Sequence, residues 1–161
     1  MGQQQLFVKM AMHAWDVHIR RTNKLLGELS DEDLLQEIAP GKNRAIYLLG
    51  HLTAVHDAML PILGLGERQY PQLDEAFIKH PDRTVTDLPS AGDLREYWSN
   101  INSQLSVHFS GMQPAEWFQK HSLISAEDFE KEPHRNRLSV LINRTNHLSY
   151  HLGQLVLLKK K

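Results

Sequence analysis

Four stretches of this chain repeat apolar residues every three or four positions, a period that dictates helices with one buried face each. The first spans 4–29, with Val8, Ala11, Met12, Trp15, Ile19, Leu26 and Leu29 on one side. The second spans 43–63. The third spans 91–112, carrying Leu94, Tyr97, Trp98, Ile101, Leu105 and Met112, and the fourth spans 136–158. No segment alternates with period two for long enough to make a strand, although VTDL at 85–88 is a candidate for a short extended piece. Four long helices with one broad apolar stripe each imply an all-α four-helix bundle.

The connecting segments constrain the order of the helices. SDEDL and SAEDF each begin with Ser followed three residues later by Asp, close to a capping box, so each is expected to open a short helix. LGLGERQYPQ, HPDRTVTDLPS and GMQPAEW read as loops. The connections after the second and third helices are too long for tight hairpins, so at least one crosses over the bundle and simple up-down-up-down order is not expected. PGKNR at 40–44 echoes PHRNR at 133–137, each opening a long helix, as two related halves or as two similar helix starts.

At 161 residues the chain, 1–161, is expected to form a single domain with a hydrophobic core of its own. A formal net charge of -1 gives no electrostatic footprint for nucleic acid or an anionic membrane, and neither is expected as a partner. With no cysteine, the chain has no disulfide, no thiolate ligand and no cysteine nucleophile. No apolar run is expected to reach the roughly 18 residues that span a bilayer, and MGQQQLFVKM lacks a signal-peptide core. The expectation is a cytoplasmic protein with a short solvated lysine tail.

Ten histidines are the unusual feature of the composition. In the fourth helix the apolar stripe centres on Leu141, Leu148, Leu152 and Leu155, and His147 and His151 stack one turn apart on its flank. In the second, His51 lies mid-stripe among Leu48, Val55, Ala58 and Ile62, whereas His56 and Asp57 fall on the polar back, where His56 is expected to be solvated. His18 falls on the inner side of the first helix beside Trp15 and Thr22. Two readings stand at this point. The inward histidines are core residues bonded to carbonyls or hydroxyls, or they are imidazole ligands of a divalent zinc, nickel, copper or iron ion with coordination positions left open. Gly50 and Gly153, next to these histidines, are expected to permit close helix approach.

GHLTAVHDAML in the second helix and TNHLSYHLGQL in the fourth, with AWDVHIRRTNKLLGELSDEDL and PGKNRAIYLLGHL, resemble the DinB-like (DinB/YfiT) superfamily over the whole chain. The resemblance implies a bundle in up-down-down-up order with long crossover connections, commonly a homodimer, binding a divalent metal through three histidines. Matched position by position, those ligands are His51, His147 and His151. Zinc or nickel is expected first, iron or copper next. Trp15, His18, Thr22 and Asn143 are expected to line the pocket, with Arg144 a helix-surface arginine.

Some members of the resembling family are transferases or isomerases that use a low-molecular-weight thiol. Neither Asp16 nor Asp57 is expected on an inner face, which favours metal-activated thiol chemistry on a small electrophile over carboxylate-assisted hydrolysis. The alternatives are a non-catalytic metal- or ligand-binding dimer and a metal-dependent hydrolase.

Overall fold

A computed structural model describes residues 2–158, and within them the chain is all helical with no strand. The lysine tail at 159–161 lies outside the described residues. Helix α1 spans Gln3–Glu28, α2 Asp31–Leu34, α3 Ala45–Asp57, α4 Met59–Leu63, α5 Ala91–Gly111, α6 Ala126–Lys131 and α7 Arg137–Leu155. Both Ser-x-x-Asp segments open the short helices they predict: Ser30 caps α2 through Asp33 and Ser125 caps α6 through Asp128. The piece at 85–88 forms no strand, and Val85 and Leu88 pack against the core instead.

The second periodic stretch breaks at Ala58. Pro61 has no N–H to donate to the carbonyl of Asp57, so the ladder is interrupted and the chain restarts as α4. Ala45–Leu63 is 19 residues long and apolar enough, by length and composition alone, to cross a membrane. This corrects the expectation that no run reaches that length. Two-thirds of its most apolar window is buried inside the fold, as befits a core helix.

Helix α1 runs along α7 and α3 along α5, with α3 also touching α7. One apolar cluster joins Leu26 near the end of α1, Ala45 and Ile46 at the start of α3, Leu94 at the start of α5 and Leu155 at the end of α7. A second joins Trp15, Met59, Leu63, Phe109, Leu138 and Leu141. The connector after α4 is tied down by Asp57, whose carboxylate accepts from Arg68 Nε at 3.0 Å and from the backbone N–H groups of Gln69 and Tyr70 at 2.7 and 3.1 Å. The two echoing helix starts are each stitched by a single backbone bridge, Glu37 to Arg44 and Lys120 to Asn136. Their caps differ, since Asn136 accepts from Ser139 N–H while Arg44 has no capping side chain.

Within α3 every residue except Tyr47 and His51 is buried. A helix enclosed on all sides has no polar back, and the expectation that His56 is solvated is overturned. His56 and Asp57 are both 0 % exposed. The His56 ring lies between Trp15 and Trp98, with centroids 4.8 Å from each. Its Nδ1–H donates to Asn102 Oδ1 at 2.8 Å, and Asn102 Nδ2 donates to the carbonyl of Trp98. Burial pushes the imidazole pKa down to about 3. Gly50 packs so close to the buried Phe77 ring that a Cβ would overlap it, whereas Gly153 is exposed with open space around it. Close approach therefore explains the first glycine and not the second.

Gly50→Ala is expected to lower unfolding free energy. Overpacking against a ring with no room to swing costs roughly 1–3 kcal/mol, which outweighs the roughly 1 kcal/mol that alanine gains in a helix. Urea denaturation checks this, and unchanged or raised stability would contradict it.

His56 sets part of the acid sensitivity. As pH falls below the ordinary histidine value the unfolded chain takes up a proton that the folded chain refuses until about pH 3. Stability should therefore fall with decreasing pH through that window, by about 1.4 kcal/mol per pH unit for this one group. Denaturation of metal-free protein between pH 6 and 4 should show a slope shallower by about that amount in His56→Gln than in the wild type. Equal slopes would contradict the assignment.

Candidate metal centre

The half-buried side chain of His51 projects from the one side of α3 that is not fully covered, towards His147 and His151 on α7. The three imidazoles each offer one nitrogen, and those nitrogens lie within 4.8 Å of one another. His147 Nε2 is 3.1 Å from His51 Nε2 and 3.1 Å from His151 Nε2. Two nitrogens sharing a tetrahedral zinc with bonds of about 2.0–2.1 Å would be about 3.3 Å apart.

Proton placement decides what this cluster is. His51 Nδ1 lies 2.8 Å from the carbonyl oxygen of Phe77, which can only accept, so Nδ1 carries the proton and Nε2 presents a lone pair. His151 Nδ1 donates in the same way to Gln154 Oε1 at 2.7 Å. Two lone pairs therefore converge beside His147 Nε2. Neutral imidazoles cannot all satisfy one another in that arrangement, because at most one of the three nitrogens has a proton to give. A divalent cation satisfies all three, and a ligating histidine held at its other nitrogen by a carbonyl or amide is the usual support for one. The residues present fit a metal.

Burial, reinforced by the neighbouring His151 and His51 rings and the Arg144 charge, pushes the His147 pKa down to about 4. Burial likewise lowers that of His151. Both imidazoles are therefore neutral near pH 7, the form in which histidine ligates.

The structure does not bring the other expected pocket residues into this cluster. Trp15 is buried against His56 and Phe109. His18 is half-buried, with Nδ1 donating to the carbonyl of Ala14 at 2.8 Å, and the buried Thr22 hydroxyl donates to the carbonyl of His18. Asn143 is exposed and lines a neighbouring cavity with Arg144. Among the described residues no carboxylate joins the histidine group. Asp57, buried though it is, is fully engaged by Arg68 and two backbone N–H groups.

Sequence reasoning missed Gln154 and the Phe77 carbonyl, which orient two of the three rings. Gln154 was visible at i+3 from His151 inside the GQL motif, but a backbone carbonyl in the connector has no signature. Arg144 is half-buried and not the surface arginine expected from the helix pattern. Away from the cluster, His80 contacts Glu75 at 3.0 Å and His121 Nδ1 accepts from Leu123 N–H at 3.2 Å.

The crystal structure of a conserved protein from Enterococcus faecalis is similar to this chain with a TM-score of 0.61 at 15 % identity, covering 97 % of this chain and 94 % of that one. At that identity the likeness speaks to the fold. No curated protein matches the chain. The sequence profile of the DinB superfamily matches residues 14–155, which take in all three histidines and both elements that carry them. The chain belongs to the DinB superfamily.

Proposed function

We propose that His51, His147 and His151 hold a divalent transition metal, zinc or nickel ahead of iron or copper, in a single-domain bundle of up-down-down-up order. The sharing of apolar clusters supports that order, because the starts of α3 and α5 meet the ends of α1 and α7. The observation that carries the metal reading is the convergence of the His51 and His151 lone pairs on His147 Nε2.

The activity that this site supports best is a metal-dependent transferase joining a low-molecular-weight thiol to a small electrophile. Three neutral ligands would leave a divalent ion its full charge, which lowers the pKa of a thiol beside it. His51 and His151 keep fixed orientations through Phe77 and Gln154, so the ligand set is preorganised. The thiol has to be a cosubstrate, since the chain has no cysteine. The lack, among the described residues, of a carboxylate beside the triad weighs against a hydrolase, which needs a base there. Exposed Leu6, Phe7 and Met10 on α1 offer an apolar face for a homodimer, and the chemistry suits a cytoplasmic thiol pool.

Untagged protein loaded with zinc or nickel is expected to carry one metal per chain by elemental analysis. His51→Ala should lose it while keeping wild-type helicity. Equal metal content in the two proteins would reject the site. Gln154→Ala is expected to weaken metal affinity about 10–100-fold by freeing the His151 ring, measured by competition with a chromogenic chelator. An affinity equal to the wild type would remove Gln154 from the account. Metal-loaded protein that transfers no common cellular thiol to any small electrophile would reject the transferase reading.

A further inference from the structure

Three half-buried arginines end on carboxylates: Arg44 on Asp82, Arg68 on Asp57 and Asp74, and Arg95 on Asp31. Arg144 does not. It is half-buried on α7, forms no ion pair among the described residues, and its Nε is sealed from solvent without a hydrogen-bond partner. Among the described residues its side chain makes a long 3.5 Å hydrogen bond to Asn143 Oδ1. A guanidinium withdrawn from water without a counter-charge is costly.

Arg144 lines a cavity of about 300 Å³ together with Ile62, His121, Arg135, Ser139 and Asn143. The lining contains basic and neutral polar groups and no carboxylate. Arg135 pairs outward with Glu132, and the His121 imidazole is held below its ordinary pKa by burial and by the charges of Arg135 and Lys120. Two turns before Arg144 on the same helix, Arg137 lines an adjoining cavity that shares Ile62 and His121, and its Nε is also buried without a partner. The region is therefore positive and short of acceptors.

The cavity also lies next to the histidines. Asn143 and Arg144 precede His147 by about one helical turn, roughly 5 Å along the axis. The charge on Arg144 acts on the His147 ring.

We propose that Arg144, assisted by Asn143, is the subsite for the carboxylate of a small anionic molecule whose reactive end reaches the His51–His147–His151 site. The placing of the reactive end rests on the metal reading above; the anion subsite does not. The planar guanidinium fork matches a carboxylate through two parallel hydrogen bonds, with the Asn143 side-chain amide as a further donor. Ile62 supplies an apolar wall for a short carbon chain. One helical turn between Arg144 and His147 suits a short carbon chain between the carboxylate and the atom that reacts, whether that molecule is the thiol or the electrophile.

The test has two arms. In metal-free full-length protein, titration with propionate is followed by arginine Nε–H resonances in nitrogen-15 NMR spectra. The Arg144 resonance is expected to shift saturably, and Arg144→Gln should bind propionate about tenfold or more weakly. Arg144→Lys, which keeps the charge and loses the fork, should fall between the two. An unmoved Arg144 resonance, equal propionate binding in Arg144→Gln, or stronger displacement by inorganic phosphate than by propionate would overturn the carboxylate subsite. In cobalt-loaded protein, 3-mercaptopropionate should give the thiolate-to-cobalt absorption at about tenfold lower concentration than 2-mercaptoethanol, and Arg144→Gln should abolish that advantage. Equal responses to the two thiols in the wild type would overturn the link to the histidines. Protein that takes up no cobalt would sink the metal reading, while the propionate arm still decides the subsite.

Discussion

Helix α3 is apolar almost all round and has to be enclosed on every side, and much of the molecule is arranged to enclose it. Helix α5 packs along its length, α7 touches it, and the π-helical turn Glu75–Lys79 covers it with Phe77. The 64–90 connector is long because it has to wrap this helix, and buried Asp57 anchors its first turn. Gly50 lets Phe77 sit directly against the helix backbone, and that contact places the Phe77 carbonyl where it fixes His51. A single packing constraint thus sets the tautomer and direction of one proposed ligand.

The same enclosure explains why His51 and His56, five residues apart, have opposite fates. His56 is sealed between two tryptophans and held neutral, with Asn102 as its partner, and serves the core. His51 and Tyr47 are the residues of α3 that keep some exposure, and their rings stack at 6.3 Å. The opening in the cover is therefore at the histidine cluster. Around it the His147 and His151 imidazoles are held neutral near pH 7, and half-buried Arg144 beside them has no ion pair among the described residues.

Periodicity and Ser-x-x-Asp caps located all four long helices and the two short ones that Ser30 and Ser125 open to within a few residues, because those signals are local. The triad was legible in part. Spacing put His147 and His151 on one helix flank and His51 inward on its helix, but His18 read as inward too, and the family resemblance was what singled out the three that the structure groups. What failed was the assumption that each helix has one wet face. On α3 that assumption sent His56 and Asp57 to solvent, when both are sealed in the core. On α7 it made Arg144 a surface residue, although the loop at 119–124 folds over that side of the helix. Burial created by a distant connector leaves no mark in a helical pattern.

The central claim is that the three Nε2 atoms converge because a metal belongs between them. X-ray absorption at the metal edge of zinc-loaded protein tests it most directly. The account predicts three imidazole nitrogens at about 2.0–2.1 Å with the outer-ring scattering typical of histidine, reduced in His51→Ala. A spectrum with one imidazole or none, unchanged by that substitution, would contradict it.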